Sequence, residues 1–196
     1  MYQYILSINK TNMIFFNLVG TIINEKGLIN NIIINNLNKK MILNDIYKYD
    51  KNKYSNIILN INNKLLYNNS IEVFPGTYHI LDTIKSKNIK IGITSNFNSH
   101  ITNNLIHRFN LNNYIDDYIS CENSNFMIND LMSKNNINNF NNIINISDSI
   151  SDLKYSKSKQ SLKTFAVLSG EINKKQSNDL KIDYTFNNIF ELNKIL

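Results

Sequence analysis

Three short polar groups in this sequence each follow an apolar, β-prone run: Asn17 with Gly20-Thr21, Thr94-Ser95-Asn96, and Ser147-Asp148 with Asp152. A serine hydroxyl at position 95 and main-chain amides near Gly20, with Asn96 alongside, could cradle a phosphate or another anion, because backbone donors need no charged partner. Asn17 brings a neutral amide whose oxygen can touch a cation but which is a poor nucleophile. Plainer roles exist for each piece. Gly20-Thr21 and Pro75-Gly76 suit turns, Asp148 suits a helix cap and Asp152 a first-turn acid beside the positive end of a helix. Those roles explain the pieces singly and not their joint order. His79, His100 and His107 stand at no metal or triad spacing and read as solvent-facing helix positions. Cys121, with no basic or histidine neighbour, reads as an ordinary thiol in a reducing compartment.

The elements that must position these groups alternate. Met13-Ile14-Phe15-Phe16 is short and wholly apolar, as a strand buried on both faces should be. From Gly27 to about Tyr67 the spacing turns helical, with Ile29, Ile33, Leu37 and Met41 on one side and Ile57, Ile58, Ile61 and Leu65 on another; two to three helices fit, with a lysine- and tyrosine-rich stretch around Tyr47 to Tyr54 between them. Pro75-Gly76 starts a helix carrying Ile80, Leu81 and Ile84. Ile89, Ile91 and Ile93 form the next strand, and Asn98 or Ser99 caps a helix with Ile101, Leu105, Ile106 and Phe109. A short strand over 118–120, a helix over 127–134, a strand over 143–146, a helix over 152–159 and strands over 164–168 and 184–186 follow. Such alternation predicts an α/β, Rossmann-like, mostly parallel sheet with helices on both faces. In such sheets ligands bind beyond the carboxyl ends of the strands, where the three polar groups fall.

The order of these motifs resembles the haloacid dehalogenase superfamily. Phe16-Asn17-Leu18-Val19-Gly20-Thr21 has the shape of that family's first motif, Ser95 satisfies the second, and Ser147-Asp148-Ser149-Ile150-Ser151-Asp152 matches the fourth apart from serine in place of glycine. The phrasing is most similar to the phosphonoacetaldehyde hydrolase, or phosphonatase-like, branch. The resemblance implies a core over 1–24 and 70–196 with a small helical cap, 25–69, inserted after the first strand. It also implies that Asn17 stands at the position of a nucleophilic aspartate, Val19 at that of the general acid/base, and Ser95 among the catalytic residues, with Gly20, Ser95 and Asn96 around the phosphate.

Magnesium in such sites takes hard oxygen ligands. The resemblance places it at Asn17, Asp148 and Asp152, and the loss of one carboxylate predicts Mg²⁺ binding that is weakened or lost. The third motif, a lysine or arginine, is missing: Ser124-Asn125-Phe126 supplies no cation, and Lys134 lies too far along its helix to be a natural replacement. A phosphonatase also needs a cap lysine, for which Lys39, Lys40, Lys48, Lys51, Lys53 and Lys64 are candidates.

With 196 residues, 42% of them hydrophobic, the chain can bury one core. No apolar run reaches membrane-span length and no signal-peptide layout is present, which predicts a cytoplasmic protein; the acid-free stretch from Met1 to Asn24 leaves organelle import open. The net charge of +6 comes from scattered lysines, and the densest group, Lys154, Lys157, Lys159 and Lys163, surrounds a helix without stacking aromatics, so a solvated face is expected and nucleic acid is not. Three functions are carried forward. The first is a degenerate family member, inactive or impaired, that keeps an anion pocket for a small phosphorylated molecule or serves a structural role with a protein partner. The second is a divergent Mg²⁺-dependent phosphatase or phosphonatase-like hydrolase, and the third is an unrelated α/β binding module. Hydrolysis of a generic phosphate ester separates the first two, and the spacing of Asn17, Ser95 and Asp148 in space tests the third.

Overall fold

The computed structural model describes residues 11–37, 46, 51–121 and 127–196. Strand β1 is Met13–Asn17, five buried residues in a row. It leads to the two-residue strand β2, Ile23–Asn24, then helices α1, Leu28–Leu37, and α2, Lys51–Tyr67, and strand β3, Glu72–Val73. Beyond them come α3, Thr77–Ser86; β4, Lys90–Ser95; α4, Ser99–Arg108; and β5, Asp117–Ser120. The second half holds α5, Met127–Lys134; β6, Ile143–Ser147; α6, Ile150–Lys157; β7, Lys163–Val167; α7, Lys174–Asp179; and β8, Tyr184–Phe186.

Six strands form one parallel sheet in the order β5-β4-β1-β6-β7-β8. The first strand therefore lies inside the sheet, flanked by β4 and β6, and the chain reverses its direction of travel across the sheet there. A crevice opens at such a reversal because neighbouring connections leave to opposite faces. Alternation within β1 serves both faces: Ile14 and Phe16 pack with Ile80, Leu81, Ile84 and Leu105, whereas Met13 and Phe15 pack with Ile128, Leu131 and Met132.

Ile80, Leu81 and Ile84 of α3 are buried as their spacing predicts, and Asn98 is the cap of α4, its side chain accepting from the Ile101 amide at 3.0 Å. Two features differ from expectation. Helix α6 begins at Ile150, not at Asp152, with Ser149 at its cap position, so Asp148 is not the capping residue. The antiparallel pair β2 and β3 was not predicted, since two-residue strands carry no periodicity.

Helices α1 and α2 lie between β2 and β3. Ile33, Ile57, Ile61 and Leu65 belong to the same apolar cluster as Ile101 and Leu105 of α4. Arg108, the last residue of α4, donates to the carbonyls of Leu65 at 3.1 Å, Leu66 at 3.0 Å and Asn68 at 2.8 Å. A guanidinium on the final turn of α2 satisfies orphan carbonyls and suits the negative end of the helix. Met41, the candidate lysines 39 and 40 and residues 47–50 of the Tyr47 to Tyr54 stretch, Lys48 among them, lie outside the described residues, as do the side chains of Lys51 and Asn52. No helix among the described residues is long and apolar enough to cross a membrane.

Candidate active site

At the carboxyl end of β1, Asn17 sits opposite Thr94 of β4 and is 5% exposed. Its Nδ2 donates to Asp152 Oδ2 at 2.9 Å. That bond orients the amide, since the reversed orientation would set oxygen against carboxylate, and it turns Asn17 Oδ1 away from Asp152. Ser147 also donates to Asp152 Oδ2, at 3.4 Å. Helix α6 supports the arrangement from below: Ser156 donates to the Asp152 carbonyl and accepts from Asn145 Nδ2 in β6 at 2.7 Å.

Beyond Asn17 the chain turns sharply through Leu18 to Ile22. The Gly20 amide donates to the Ile23 carbonyl at 2.8 Å, so this N–H closes the turn and is not offered to a ligand. Gly20 has a φ of 91°, a conformation that disfavours any residue with a Cβ. The next residue, Thr21, is fully buried, donates to Asp148 Oδ1 at 2.8 Å and accepts from the Asp148 amide at 3.1 Å.

Asp148 is the meeting point of three loops. Its Oδ2 accepts from the Glu171 amide at 3.2 Å, and its carbonyl accepts from the Ile172 amide. The carboxylate is wedged between two glycines: a Cβ on Gly20 would stand 2.1 Å from Oδ2, and one on Gly170 would stand 2.0 Å from it. Ser169 closes the ring by donating to the Gly20 carbonyl at 2.7 Å. Burial pushes the Asp148 carboxyl up to about 7, against the opposing pull of its bonds to Thr21 and Glu171.

A cleft of about 190 Å³ opens above these residues. Asn17, Val19, Gly20, Asn96 and Asp148 line it, so five of the seven predicted site residues share one cavity. Ser95 and Asp152 do not line it. The Ser95 hydroxyl is turned into the protein, accepting from Thr102 at 2.8 Å and from the Phe97 amide at 3.3 Å. Asp152 lies behind Asn17 rather than in front of it. Lys134 is paired with Asp117 at 2.6 Å, at the amino end of β5 and hence at the opposite edge of the sheet, and it cannot serve as the third-motif cation. Ser124, Asn125 and Phe126 lie outside the described residues.

The cleft also holds residues that sequence reasoning missed. Glu25, Gly27 and Ile29 line it from the start of α1, and Ser169, Gly170 and Glu171 from the loop after β7. Glu25 accepts from the Ile29 amide at 2.8 Å, and burial raises its carboxyl above the usual range while the amides of Ile29, Leu28 and Gly27 oppose that rise. The loop after β7 was within reach of the strand-end argument, since it too leaves the carboxyl edge of the sheet. It was missed because Ser169-Gly170-Glu171 resembles no motif.

Comparison with known proteins now bears on the geometry. The family model for haloacid dehalogenase-like hydrolases matches residues 29–167. The chain belongs to the haloacid dehalogenase-like hydrolase family. This membership sets aside the unrelated α/β module. Among solved structures, a predicted phosphatase from Clostridium acetobutylicum superposes with a TM-score of 0.77 at 18% identity, covering 94% of this chain and 97% of that one. A haloacid dehalogenase-like family hydrolase from Streptococcus pneumoniae gives 0.74 at 13% identity, covering 94% and 98%. A predicted phosphoglycolate phosphatase from Haemophilus somnus gives 0.69 at 15% identity, covering 95% and 98%. At these identities the likeness is one of fold. No curated protein matches this chain. The family match begins after the Asn17 to Thr21 turn, which lies outside the matched segment.

Proposed function

We propose that this haloacid dehalogenase-like protein binds a small phosphorylated molecule in the cleft beside Asn17 and Asp148 but does not turn it over by the aspartyl-phosphate route. One observation carries the reading: Asn17, at the nucleophile's position, spends its amide nitrogen on Asp152 at 2.9 Å. A neutral amide held in that way has no lone pair suited to attack phosphorus. Val19 cannot transfer a proton.

The groups at the carboxyl end of β1 and β6 suit a hard cation in kind, being oxygens, but the one at position 17 is a neutral amide rather than a carboxylate. Asn17 Oδ1 and the Asp148 carboxylate are the side-chain groups that would hold Mg²⁺, with Asp152 positioning Asn17 rather than binding the ion. Among the described residues no group of three or more histidine, cysteine, aspartate or glutamate side chains is arranged around a metal position. Weakened Mg²⁺ binding is therefore expected. When bound, the ion would neutralise charge on a phosphoryl group; the chain's own part is to orient that group with Asn96 and exclude water with Val19 and Phe97.

The helices between β2 and β3 fit the role of a cap, residues 25–69, over a core of 1–24 and 70–196. A phosphonatase-like substrate would require a lysine from that cap. Lys53 is exposed, and Lys64 lines a separate shallow groove with Glu25, so neither supports that branch.

The test is hydrolysis of nitrophenyl phosphate by pure protein with Mg²⁺, beside equilibrium binding of inorganic phosphate. Binding without turnover is expected. Turnover that copurifies with the protein and disappears in a folded Asn17→Ala variant would replace this reading with that of a divergent hydrolase.

A further inference from the structure

The apolar side chains of the cleft come from three separate segments: Val19 from the turn after β1, Ile29 from the first turn of α1, and Phe97 from the turn after β4. Phe97 belongs to the main apolar cluster of the core, and Val19 and Ile29 pack against that same cluster. The sheet order then gives the cleft two unlike sides. Val19 and Phe97 leave from β1 and its neighbour β4, whereas Asp148 and Ser149 follow β6, and Ser169, Gly170 and Glu171 follow β7. A hydrocarbon wall thus stands at the β4 side of the cleft and a polar wall at the β6 and β7 side.

Main-chain bonds hold all three positions. The Phe97 amide donates to Ser95 Oγ at 3.3 Å, and its carbonyl accepts from Thr102 Oγ1 at 3.4 Å. Val19 forms a bridge with Ile23, and the Ile29 amide donates to Glu25 Oε2 at 2.8 Å. That last bond turns Glu25 toward α1, and Asn30, the next lining residue along the helix, is exposed. A ligand hydroxyl brought from water against Val19, Ile29 and Phe97 would lose its partners, whereas a methylene group gains by leaving water. At about 190 Å³ the cleft is below the roughly 300 Å³ at which drug-sized pockets begin, so the organic part of a phosphate ester held there is short.

We infer that the ligand is a monoalkyl phosphate of a few carbons rather than a phosphorylated polyol, its hydrocarbon chain lying against Val19, Ile29 and Phe97. This rests on the phosphate-ester reading given above and supplies its ligand class. The three side chains act together because each comes from a different segment, so a short chain is enclosed by carbon from the sheet, from the loop after β4 and from α1 at once. Selection against a polyol follows from the missing partners for its hydroxyls and needs no repulsive group.

The test is calorimetric titration of the full chain, with Mg²⁺ present, using inorganic phosphate, the methyl, ethyl and propyl monoesters, and glycerol 3-phosphate, which has the carbon skeleton of the propyl ester with added hydroxyls. Affinity is expected to rise about fourfold per carbon from methyl to propyl. Glycerol 3-phosphate is expected to bind about tenfold more weakly than the propyl ester. Val19→Thr and Ile29→Thr should each lower the propyl-to-methyl ratio by about threefold. If Ile29→Thr does not fold, Val19→Thr, which changes shape least, decides. Affinity that is flat with chain length, a glycerol ester that binds as tightly as the propyl ester, or a ratio undiminished in Val19→Thr would overturn the inference; with inorganic phosphate still bound, the reading of a phosphate site would stand. Binding of neither inorganic phosphate nor any ester would overturn both.

Discussion

Asn17 Nδ2 and Asp152 Oδ2 lie 2.9 Å apart, a hydrogen bond that joins the end of β1 to the first turn of α6 across 135 positions of sequence. This contact decides what an aspartate at position 17 would do. In Asn17→Asp a donor becomes a second carboxylate, and two buried carboxylates at that distance cannot both ionise without a cation or a proton between them. Asn17→Asp is therefore expected to lose about 1–3 kcal/mol of stability at pH 8 without metal. Part of that loss should return on adding Mg²⁺ or on lowering the pH. Thermal melts of the two proteins with and without Mg²⁺ measure it, and equal melting temperatures without metal would show that Asp152 had relaxed away.

Asp148 gives the metal-free protein a pH dependence. Its folded-state carboxyl is pushed up to about 7 from an ordinary 3.8, chiefly by burial. Folding thus favours the protonated acid: its contribution is complete below the unfolded value and is lost as pH rises through about 7. Urea denaturation without metal should show stability falling between pH 5 and 8 by an amount of a few kcal/mol at most, and Asp148→Asn should flatten that slope. Added Mg²⁺ should release protons near neutral pH, which proton-uptake calorimetry reads directly.

Gly170 is required by space. A Cβ there would stand 2.0 Å from Asp148 Oδ2 and 2.7 Å from Asp148 Cβ, so turning the carboxylate alone would not make room. Gly170→Ala is predicted to cost about 2 kcal/mol or more and to displace the carboxylate, losing the pH slope described for Asp148. Denaturation at pH 5 and 8 checks both effects together.

Arg108 ties the helices between β2 and β3 to the sheet domain. With three carbonyls accepting from one guanidinium, Arg108→Ala should cost about 2–3 kcal/mol and speed amide exchange in the last turn of α2. Arg108→Lys should recover less than half of it, because an ammonium cannot match the fork. Hydrogen exchange resolved to residues 60–71 distinguishes a local release from global destabilisation.

Much of the sheet was legible in the sequence for one reason. A strand buried on both faces is apolar along nearly its whole length: Met13 to Phe16 is apolar throughout, and Ile89 to Ile93 and Ile143 to Ile146 are interrupted only by Lys90 and Asn145. Their polar ends then named one edge of the sheet as the site, which brought Asn17, Val19, Gly20, Asn96 and Asp148 into one cavity. What stayed hidden depends on side-chain direction, which spacing does not carry. Ser95 faces Thr102 and Asp152 faces the back of Asn17, although both sit at strand or helix ends where a motif would put them in the open. The Gly20 amide likewise belongs to the turn and not to an anion site, because it donates to the Ile23 carbonyl, a bond that residue spacing does not disclose. Glu171 escaped notice because a single acid in a loop has no period and no partner in sequence.

The placement of Asp148 between Gly20 and Gly170, with Thr21 and Glu171 on its two oxygens, bears on how substitution data for this chain should be interpreted. A saturation screen scored by cellular abundance would find position 148 among the least replaceable, and the same intolerance would extend to both glycines. That outcome would arise in a chain that has never cleaved a phosphate, because these residues act as a keystone for three loops. Only a screen scored by ligand occupancy, with abundance held equal, would separate that architectural demand from a chemical one.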